Sequence, residues 1–319
     1  MSSFTVSQET RLEVWDAFVK ASPQGTIFCE SQFLGSLKVP YKCFCVLKGN
    51  DMVGGCVILE TETGDPIDAP FHFTPYQGLL FKSYEGVKSY KKSEEEFEIS
   101  NSLISFLMNK YKFFSLAHSP EVKDMRPFLW MNYGEDDKPK FKIDIAYTPI
   151  LKLSGSSKEM ILSQMKQSRR QEYNKDEADL VIKESSDIDA LNKLHHQTFL
   201  RQGIHRSEEQ EKLLVSISEM SITHGYGRLL LGYKDSAPIS AVMFLFDGKR
   251  AYYLFGATDP QYRSSTASTK LLLEQVFYSA FTRKLSEVDY VGCNSPERGY
   301  YKLSFGGDLT PYFETRVRA

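Results

Sequence analysis

The sequence has few cysteines, and their positions argue against two common uses of the residue. There are five, an odd number, in 319 residues, and they lie within apolar runs and not in the close pairs typical of metal ligands. This pattern favours small, buried, reduced side chains in a reducing compartment over a disulfide framework. We therefore expect a cytoplasmic protein. The five are Cys29, Cys43, Cys45, Cys56 and Cys293.

Long apolar runs and an excess of one charge are also missing. No run approaches the ~20 apolar residues of a membrane-spanning helix, and the opening MSSFTVSQETRLEVW has no basic region followed by an apolar one. We expect neither a membrane span nor a secretory leader. A net charge of −2 lacks the basic excess typical of nucleic-acid-binding proteins, so DNA binding is not expected, although a near-neutral total still permits a local basic patch.

Several catalytic and metal-binding signatures are absent as well. The chain has no P-loop, no serine-hydrolase elbow and no thiol-protease signature. No histidine has a metal-ligand spacing to another histidine, a cysteine or a carboxylate, so no metal is expected. His195 and His196 are adjacent and do not share one helical face. We expect surface or helix-capping roles for them, with general-base catalysis as the alternative.

The two halves of the chain carry the same order of predicted elements. In the first half a helix precedes the hairpin YKCFCVLKGNDMVGGCVILET, a second helix and a short strand. In the second half helices precede the meander RLLLGYKDSAPISAVMFLFDGKRAYYLFGAT, a helix and the strand VDYVGC. The chain is also longer than one hydrophobic core usually grows. These observations predict an α+β protein with two similar domains, residues 1–150 and 151–319.

The stretch YYLFGATDPQYRSSTASTKLLLEQVFYSAF, residues 252–281, predicts a strand, an Asp-Pro turn and an amphipathic helix. The free N–H groups and positive dipole end of a helix start favour a bound phosphate or carboxylate. Arg263 would add charge to such a site, and Ser264, Ser265 and Thr266 would add hydroxyl groups. Two interpretations stay open, an anion site or hydroxyls that only cap the helix.

Several segments together resemble one known family. AYYLFGATDPQYR, the helix after it, VDYVGC and GYYKLSFGGDLTPY are similar to the closing block of the FemABX-type transferases, tandem members of the acetyltransferase-like (GNAT) superfamily. TPILKLSGSSKEMILSQMKQSRRQEYNK resembles that family's entry into its second domain, and HHQTFLRQGI resembles its Thr followed by Arg-Gln-Gly. SPQGTIFCESQFLGSLK is similar to the family's N-terminal spacing of Phe28, Phe33 and Lys38. The resemblance extends from about residue 10 to the end.

The resemblance implies an architecture and a reaction. It implies two tandem acetyltransferase-like domains, each a mixed, mostly antiparallel central sheet flanked by helices, with room for the last strand to return to the first domain. It also implies transfer of an acyl group to an amine. The donor would be an acyl-coenzyme A or, as in the peptidoglycan branch of the family, an aminoacyl-tRNA, so tRNA is one expected partner. The expected acceptor is an amine on a small anionic molecule, and a non-catalytic binding module is the remaining alternative.

The resemblance also implies roles for individual residues. Lys302 matches the lysine of an aromatic-Lys pair that stabilises negative charge at the reacting centre, and Tyr301 is its aromatic partner in substrate binding. Lys38 matches a lysine that approaches a substrate phosphate, and Arg201 and Arg206 lie where the family supplies a cationic contact. Attack of an amine on an ester or thioester generates an oxyanion, which a fixed cation or N–H donor stabilises by several kcal/mol, roughly 3 per donor.

The glycines near Lys302 admit two interpretations. Gly306 and Gly307 would place backbone N–H donors beside the lysine, completing a site for the oxyanion. Alternatively Lys302 is a solvated loop residue and the two glycines only form a turn. The sequence does not decide between them.

The helix start at residues 261–268 departs from the loop of ordinary acetyltransferases. That loop, Gln/Arg-x-x-Gly-x-Gly/Ala, uses glycines so that backbone N–H groups converge on the coenzyme A pyrophosphate. Here the corresponding sequence is QYRSSTAS, in which Arg263 fits the first position and Thr266 and Ser268 replace glycines. The departure argues against coenzyme A in the usual pose, while hydroxyl groups and Arg263 keep phosphate binding open.

The run KQSRRQEYNK also has two interpretations. Lys166, Arg169 and Arg170 lie near one side of a predicted helix, opposite its apolar residues. A charged run of this kind usually forms a solvated face. The alternative is a contact with tRNA or another phosphate, which would make binding steeply salt-dependent.

Overall fold

The computed structural model describes residues 4–318 and has α+β architecture, which confirms the predicted fold class. The chain forms two compact units. The first contains residues 4–146 and 311–318, and the second contains residues 147–310. Each unit has its own hydrophobic core and its own, mostly antiparallel strand pairing flanked by helices.

The first unit takes its strands and helices mainly from residues 4–146. They are, in chain order, β1 (Phe4–Glu9), α1 (Leu12–Ala21), α2 (Ser31–Ser36), β2 (Tyr41–Lys48), β3 (Asp51–Leu59), β4 (Leu80–Phe81), α3 (Ser89–Lys110), β5 (Phe113–Ala117) and α4 (Arg126–Leu129). The first four strands form an antiparallel sheet in sequence order. The predicted hairpin is its centre, because β2 and β3 are joined at Gly49, whose φ of 64° suits a tight turn.

Two glycines in β3 let helices approach both faces of this sheet. A Cβ atom at Gly54 would lie 2.4 Å from Ile99 Cγ2 on α3, and one at Gly55 would lie 2.9 Å from Trp15 Cζ3 on α1. Successive strand residues face opposite sides of a sheet, so each glycine admits one helix. Trp15 is fully buried there, and its Nε1 donates to the Cys29 carbonyl at 2.8 Å. The sheet of this unit is therefore closely packed on both faces.

The chain passes from the first unit into the second within a single strand. The further elements are β6 (Lys142–Lys152), α5 (Lys158–Ser163), α6 (Gln167–Asn174), β7 (Val181–Ser185), α7 (Ile188–Arg201), α8 (Glu208–Thr223), β8 (Gly227–Lys234), β9 (Ala237–Phe246), β10 (Arg250–Thr258), α9 (Ala267–Phe277), β11 (Glu287–Asp289), α10 (Pro296–Leu303) and β12 (Asp308–Arg318). Within the unit the strand order is β6-β11-β10-β9-β8-β7. The predicted meander is the antiparallel run β8-β9-β10.

The parallel pair in this order, β10 and β11, is short. Residues 250–252 of β10 pair with residues 287–289 of β11, after which β11 ends while β10 continues to Thr258. The pairing of β10 with β9 also shifts register between Tyr253 and Phe255. Beyond Tyr252, β10 therefore has no β11 partner, and this free length of strand faces the cavity described below.

The helices in the described part of the chain can be compared with what a membrane-spanning helix requires. Within residues 4–318 none combines the length and the apolar character that crossing a membrane requires. The 22-residue α3 illustrates the reason, since it carries three consecutive glutamates, residues 94–96, in its first half.

Candidate active site

The second unit contains a cavity of about 680 Å³ beside the free length of β10. Its walls come from β9, β10, α6, α7, α10 and the segment before α9. The volume is in the range of small-molecule sites, ~300–1,000 Å³. The cavity brings together residues from widely separated parts of the sequence. Six of the nine predicted site residues line it: Arg201, Arg263, Ser264, Ser265, Tyr301 and Lys302.

Lys302 projects from α10 into the cavity wall. Its Nζ donates a hydrogen bond to the Val291 carbonyl at 2.6 Å and lies 5.4 Å from the centre of the Tyr253 ring. Burial of the amine lowers the pKa of Lys302 to about 8. The amine is therefore oriented by the protein and mostly protonated at neutral pH. It is not a freely solvated loop lysine.

The carbonyl that orients Lys302 belongs to an unusual turn after β11. Val291 has a φ of 55°, in the left-handed region that a β-branched residue rarely adopts. The buried Asp289 carboxylate holds this turn, since its Oδ1 accepts hydrogen bonds from Val291 N at 2.7 Å and Thr148 Oγ1 at 2.5 Å. Asp289 thus positions the Val291 carbonyl, which in turn positions the Lys302 amine.

Tyr301, next to Lys302, is held by an arginine from α6. The guanidinium of Arg169 lies 4.8 Å from the centre of the Tyr301 ring, and its Nε donates to Ser304 Oγ at 2.8 Å. Arg169 also pairs with Glu172 at 2.6 Å. Burial raises the pKa of Tyr301, so its hydroxyl remains protonated. The expectation of a solvated face is therefore wrong for Arg169, which turns inward and lines the cavity with Glu172.

Glycines near the cavity have a packing role. A Cβ atom at Gly256 would lie 1.7 Å from the Tyr253 hydroxyl oxygen, so only glycine lets Tyr253 lie against β10. Gly306 and Gly307 have φ of 84° and 94°, and a Cβ atom on either would lie about 3 Å from the backbone at residues 164 and 150. Neither lines the cavity. The structure therefore agrees with the turn interpretation of these two glycines and not with oxyanion donors.

One histidine lines the cavity. His195 on α7 is buried, stacks on Phe199 at 4.4 Å and meets Phe255 edge-on. Burial, followed by the nearby cations Arg206 and Arg298, lowers the pKa of His195 to about 3, which makes the ring a neutral and weakly basic group. The expected surface or capping role is wrong for His195. In residues 4–318 no cluster of three or more histidine, cysteine or carboxylate side chains is arranged for a metal ion.

The mouth of the cavity carries three arginines. Arg201, Arg263 and Arg298 are exposed and also line an adjoining depression of about 340 Å³, together with Glu297. Within the described chain no carboxylate forms an ion pair with any of the three. Arg298 is oriented by its Nε, which donates to Ser295 Oγ at 3.0 Å. This arginine mouth (Arg201, Arg263, Arg298) thus gives the cavity entrance an excess of positive charge, and sequence analysis did not identify Arg298.

Two other predicted contacts lie elsewhere. The Arg206 side chain is only 2% exposed, and its Nη2 donates to Asn192 Oδ1 at 2.8 Å and lies 3.4 Å from Glu211 Oε1. It braces α7 and does not line the cavity. Lys38 is an exposed residue of the first unit, after α2, with a φ of 57°. The substrate-binding roles predicted for both stay predictions.

The start of α9 is bound to a carboxylate of the protein itself. Oε2 of Glu177 accepts hydrogen bonds from the Thr266 amide at 2.8 Å and from its hydroxyl at 2.6 Å, and Oε1 accepts from Ser265 Oγ at 2.9 Å. Lys234 Nζ lies 2.5 Å from Oε1. Partial burial opposes ionisation of Glu177, but hydrogen bonds from Lys234, Thr266 and Ser265 lower its pKa to about 2.

This arrangement does not fit a coenzyme A pyrophosphate at the same place. A pyrophosphate needs several N–H groups that are free to converge on it. Here the amide of Thr266 is bound to Glu177, and the amide of Ala267 donates to Ser265 Oγ at 3.2 Å. The Ser265 hydroxyl thus accepts from the first amide of α9, whereas the hydroxyl of Thr266, the residue at the N-cap position, turns to Glu177.

A family model matches most of the second unit. Residues 162–307 match the model described as an acetyltransferase (GNAT) domain. This range contains the meander, the start of α9 and Lys302. No curated protein matches the chain in sequence.

Solved structures resemble the whole chain. FemX has a TM-score of 0.70 and 14% identity, over 97% of this chain and 96% of that one. A tandem GNAT protein from the clavulanic acid biosynthesis pathway has a TM-score of 0.54 and 11% identity, over 98% of both chains. L-PGS from Bacillus licheniformis has a TM-score of 0.53 and 10% identity, over 95% of this chain and 90% of that one. At such identities the likeness is one of fold.

Proposed function

We propose an acyl-transfer function for this chain, which is a FemABX-like protein of the tandem acetyltransferase-like fold, as the sequence predicted. The proposed reaction moves an acyl group from an activated ester or thioester to an amine of a small anionic acceptor. The observation that carries the proposal is the buried, oriented Lys302 amine in the wall of a cavity, at the point where β10 and β11 diverge.

Lys302 has the geometry to stabilise the charge that develops in this reaction. An ammonium group has three N–H donors, and one of them is bound to the Val291 carbonyl. The other two remain for an oxygen in the cavity. When the neutral amine of the acceptor attacks the donor carbonyl, the carbonyl oxygen becomes an oxyanion that Lys302 can hold. This attack forms the C–N bond and leaves a positive charge on the nitrogen. The nitrogen then loses a proton, the oxyanion collapses to a carbonyl as the C–O or C–S bond of the donor breaks, and the leaving group takes up that proton.

The arginine mouth supports an anionic substrate. Guanidinium groups bind carboxylate and phosphate oxygens through paired N–H donors, and such charge-assisted bonds are stronger than neutral ones. Arg201, Arg263 and Arg298 have no ion pair within the described chain, so most of their N–H donors remain available. An acceptor held there by its anionic group would place its amine deeper in the cavity, toward Lys302.

A second candidate keeps the same cavity but changes the donor. The family resemblance implies an aminoacyl-tRNA as donor and a peptidoglycan-type precursor as acceptor. The same arginine mouth favours this candidate, because tRNA phosphates bind clustered cations. Binding would then weaken steeply with salt, and acyl transfer to a small acceptor would depend on charged tRNA.

Substitution of Lys302 tests the proposal. The wild-type protein is incubated with a metabolite extract and a panel of labelled acyl donors, including charged tRNA, and products are found by their mass shift. Lys302→Ala should lower the rate roughly 100- to 1,000-fold without changing the melting temperature. Lys193→Ala, an exposed lysine on α7, is the matched control and should keep full activity.

Two results would contradict the proposal. Transfer that persists in Lys302→Ala at the wild-type rate would remove the lysine from the mechanism. Absence of product with every donor, together with saturable ligand binding, would instead indicate a non-catalytic binding module.

A further inference from the structure

The segment between α6 and β7 carries an acidic side chain to the start of α9. Glu177 lies 89 positions before Thr266 in the sequence, yet its two carboxylate oxygens accept three hydrogen bonds from Ser265 and Thr266. The segment is anchored a second time, because Lys270 Nζ on α9 donates to the Lys175 carbonyl at 2.8 Å. Two independent contacts therefore fix Glu177 at this helix start.

Three consecutive backbone amides of the helix start donate within the protein. The Ser265 amide donates to the Tyr262 carbonyl at 3.0 Å, the Thr266 amide to Glu177, and the Ala267 amide to Ser265 Oγ. Thr266 and Ala267 are also buried, with 2% and 0% exposure. A ligand phosphate at this place would have to displace the carboxylate before it could reach these donors.

The charge at the helix start is balanced as well. The positive end of the helix dipole and the Lys234 ammonium both attract an anion, and the Glu177 carboxylate already lies against both. It is only 13% exposed, so water screens this interaction weakly. A second anion would be repelled by the first, and the Lys234 ammonium is already paired with Glu177.

We propose that Glu177 determines donor specificity by occupying, as a built-in anion, the place where a coenzyme A pyrophosphate would bind. The inference rests on the proposed function, since it concerns the donor of that acyl transfer. Acyl donors that depend on a pyrophosphate at the α9 start are excluded. The accepted donor is an activated acyl ester whose carbonyl enters the cavity without a phosphate at this helix.

The proposed role of Glu177 is tested by asking whether its substitution increases the affinity for coenzyme A and pyrophosphate. Calorimetry measures the binding of coenzyme A and of inorganic pyrophosphate to the wild-type protein and to Glu177→Gln, which keeps the shape of the side chain and removes its charge. Freeing the helix dipole and Lys234 should raise the affinity of Glu177→Gln for both ligands at least ~10-fold over wild type. The matched control is Glu184→Gln, which removes another glutamate of the same unit, paired with Arg228 at 2.8 Å, and should bind like wild type.

A folding check keeps the test decisive. Thermal melting shows whether Glu177→Gln is folded. If it is not, Glu177→Ala replaces it, since this change also removes the carboxylate beside Thr266 and should likewise raise the affinity for pyrophosphate. Equal affinity of wild type and the folded variant would overturn the proposal, whether both bind coenzyme A or neither does.

The test separates this inference from the proposed function because it measures binding and not turnover. If Lys302→Ala abolishes transfer but Glu177→Gln gains no affinity, the acyl-transfer function stands and the role of Glu177 falls. If Glu177→Gln gains affinity for coenzyme A and pyrophosphate while the wild-type protein transfers no acyl group from any donor, the role of Glu177 is supported and the proposed reaction is contradicted.

Discussion

The two units use glycine in a central strand for opposite purposes. In the first unit, Gly54 and Gly55 of β3 leave space that is filled by Ile99 and Trp15, so helices close on both faces of the sheet. In the second unit, Gly256 of β10 leaves space that is filled by a hydroxyl from its own strand. The first arrangement produces a closed core, and the second leaves the adjoining cavity open.

The difference shows which part of this protein can form a binding site without disturbing a hydrophobic core. A strand glycine covered by a neighbouring helix couples the strand to the hydrophobic core, and any added atom disturbs both. The atoms nearest to a Cβ at Gly256 belong to the end of the Tyr253 side chain, beside a cavity of about 680 Å³. Changes there should alter the shape of the site more than the stability of the unit.

The largest expected effect is the loss of acyl transfer at alkaline pH, and it concerns the second unit. Below a pKa of about 8 Lys302 is protonated and can stabilise an oxyanion; as the pH rises through that value the cation is lost. Transfer should therefore fall about 10-fold for each pH unit above 8. In the first unit, by contrast, burial raises the pKa of the Cys29 thiol to about 12, so this thiol stays neutral in the same range.

The pH dependence is measured as the ratio of wild-type to Lys302→Arg rates, which cancels the ionisation of the acceptor amine. Arginine stays protonated to a pH above ~12, so the ratio should decline above pH 8. A ratio that stays constant up to pH 10 would show that the charge of Lys302 does not contribute.

The next largest expected effect is a loss of stability in the first unit. Gly55→Ala would place a Cβ atom 2.5 Å from the Phe44 carbonyl oxygen and 2.9 Å from Trp15, and neither group can move freely. Overpacking of this kind costs about 2 kcal/mol, which lowers the melting temperature by roughly 4 to 8 °C. Gly35→Ala is the matched control, because its Cβ atom meets nothing within 4 Å. Equal melting temperatures for the two variants would contradict the closed-core description.

A smaller effect is expected from Gly256→Ala, and it should change the rate of transfer more than the stability. The new Cβ atom would displace the Tyr253 hydroxyl, but that side chain can swing into the cavity, so the melting temperature should change less than in Gly55→Ala. Because Tyr253 lies 5.4 Å from Lys302 Nζ, its movement should lower the rate roughly 10-fold. Gly248→Ala, with no atom within 4 Å of its Cβ, should leave both quantities unchanged. A large fall in the melting temperature of Gly256→Ala with no fall in its rate of transfer would contradict this difference between the two units.

The sequence allowed the outline of the site to be predicted because the relevant signals are local. The strand, turn and helix of residues 252–281 and the aromatic-Lys pair each occupy a short stretch, and their order is that of a known fold. Arg263, Tyr301 and Lys302 accordingly line one cavity. The meander and its hairpin turns were predictable for the same reason, since period-two patterns and turn residues are local properties.

The remaining features depend on contacts between distant segments, which no local pattern specifies. Glu177 is one of 41 acidic residues, and nothing in its neighbourhood indicates that it reaches a helix start 89 positions later. Arg169 and Arg170 are adjacent basic residues, yet Arg169 packs on Tyr301 while Arg170 donates to the Met165 carbonyl. Which member of such a pair turns inward is decided by the packed surface and not by composition.

The smallest expected effect concerns the arginines, which the two units also use differently. In the first unit, Arg126 is exposed but paired with Asp124 at 2.6 Å. At the cavity mouth, Arg298 is exposed and, within the described chain, has no acidic partner. An exposed pair is worth ~0–1 kcal/mol, so Arg126→Gln should change neither activity nor substrate affinity.

Arg298→Gln should raise the KM for the anionic acceptor about 3- to 10-fold, equivalent to about 1 kcal/mol. Its kcat should not change, because Arg298 holds the anionic group and not the reacting carbonyl. Added salt should weaken binding to wild type more than to the variant, since the missing charge is one that salt screens. An unchanged KM, or equal salt sensitivity in both proteins, would mean that the substrate enters the cavity without using the arginine mouth.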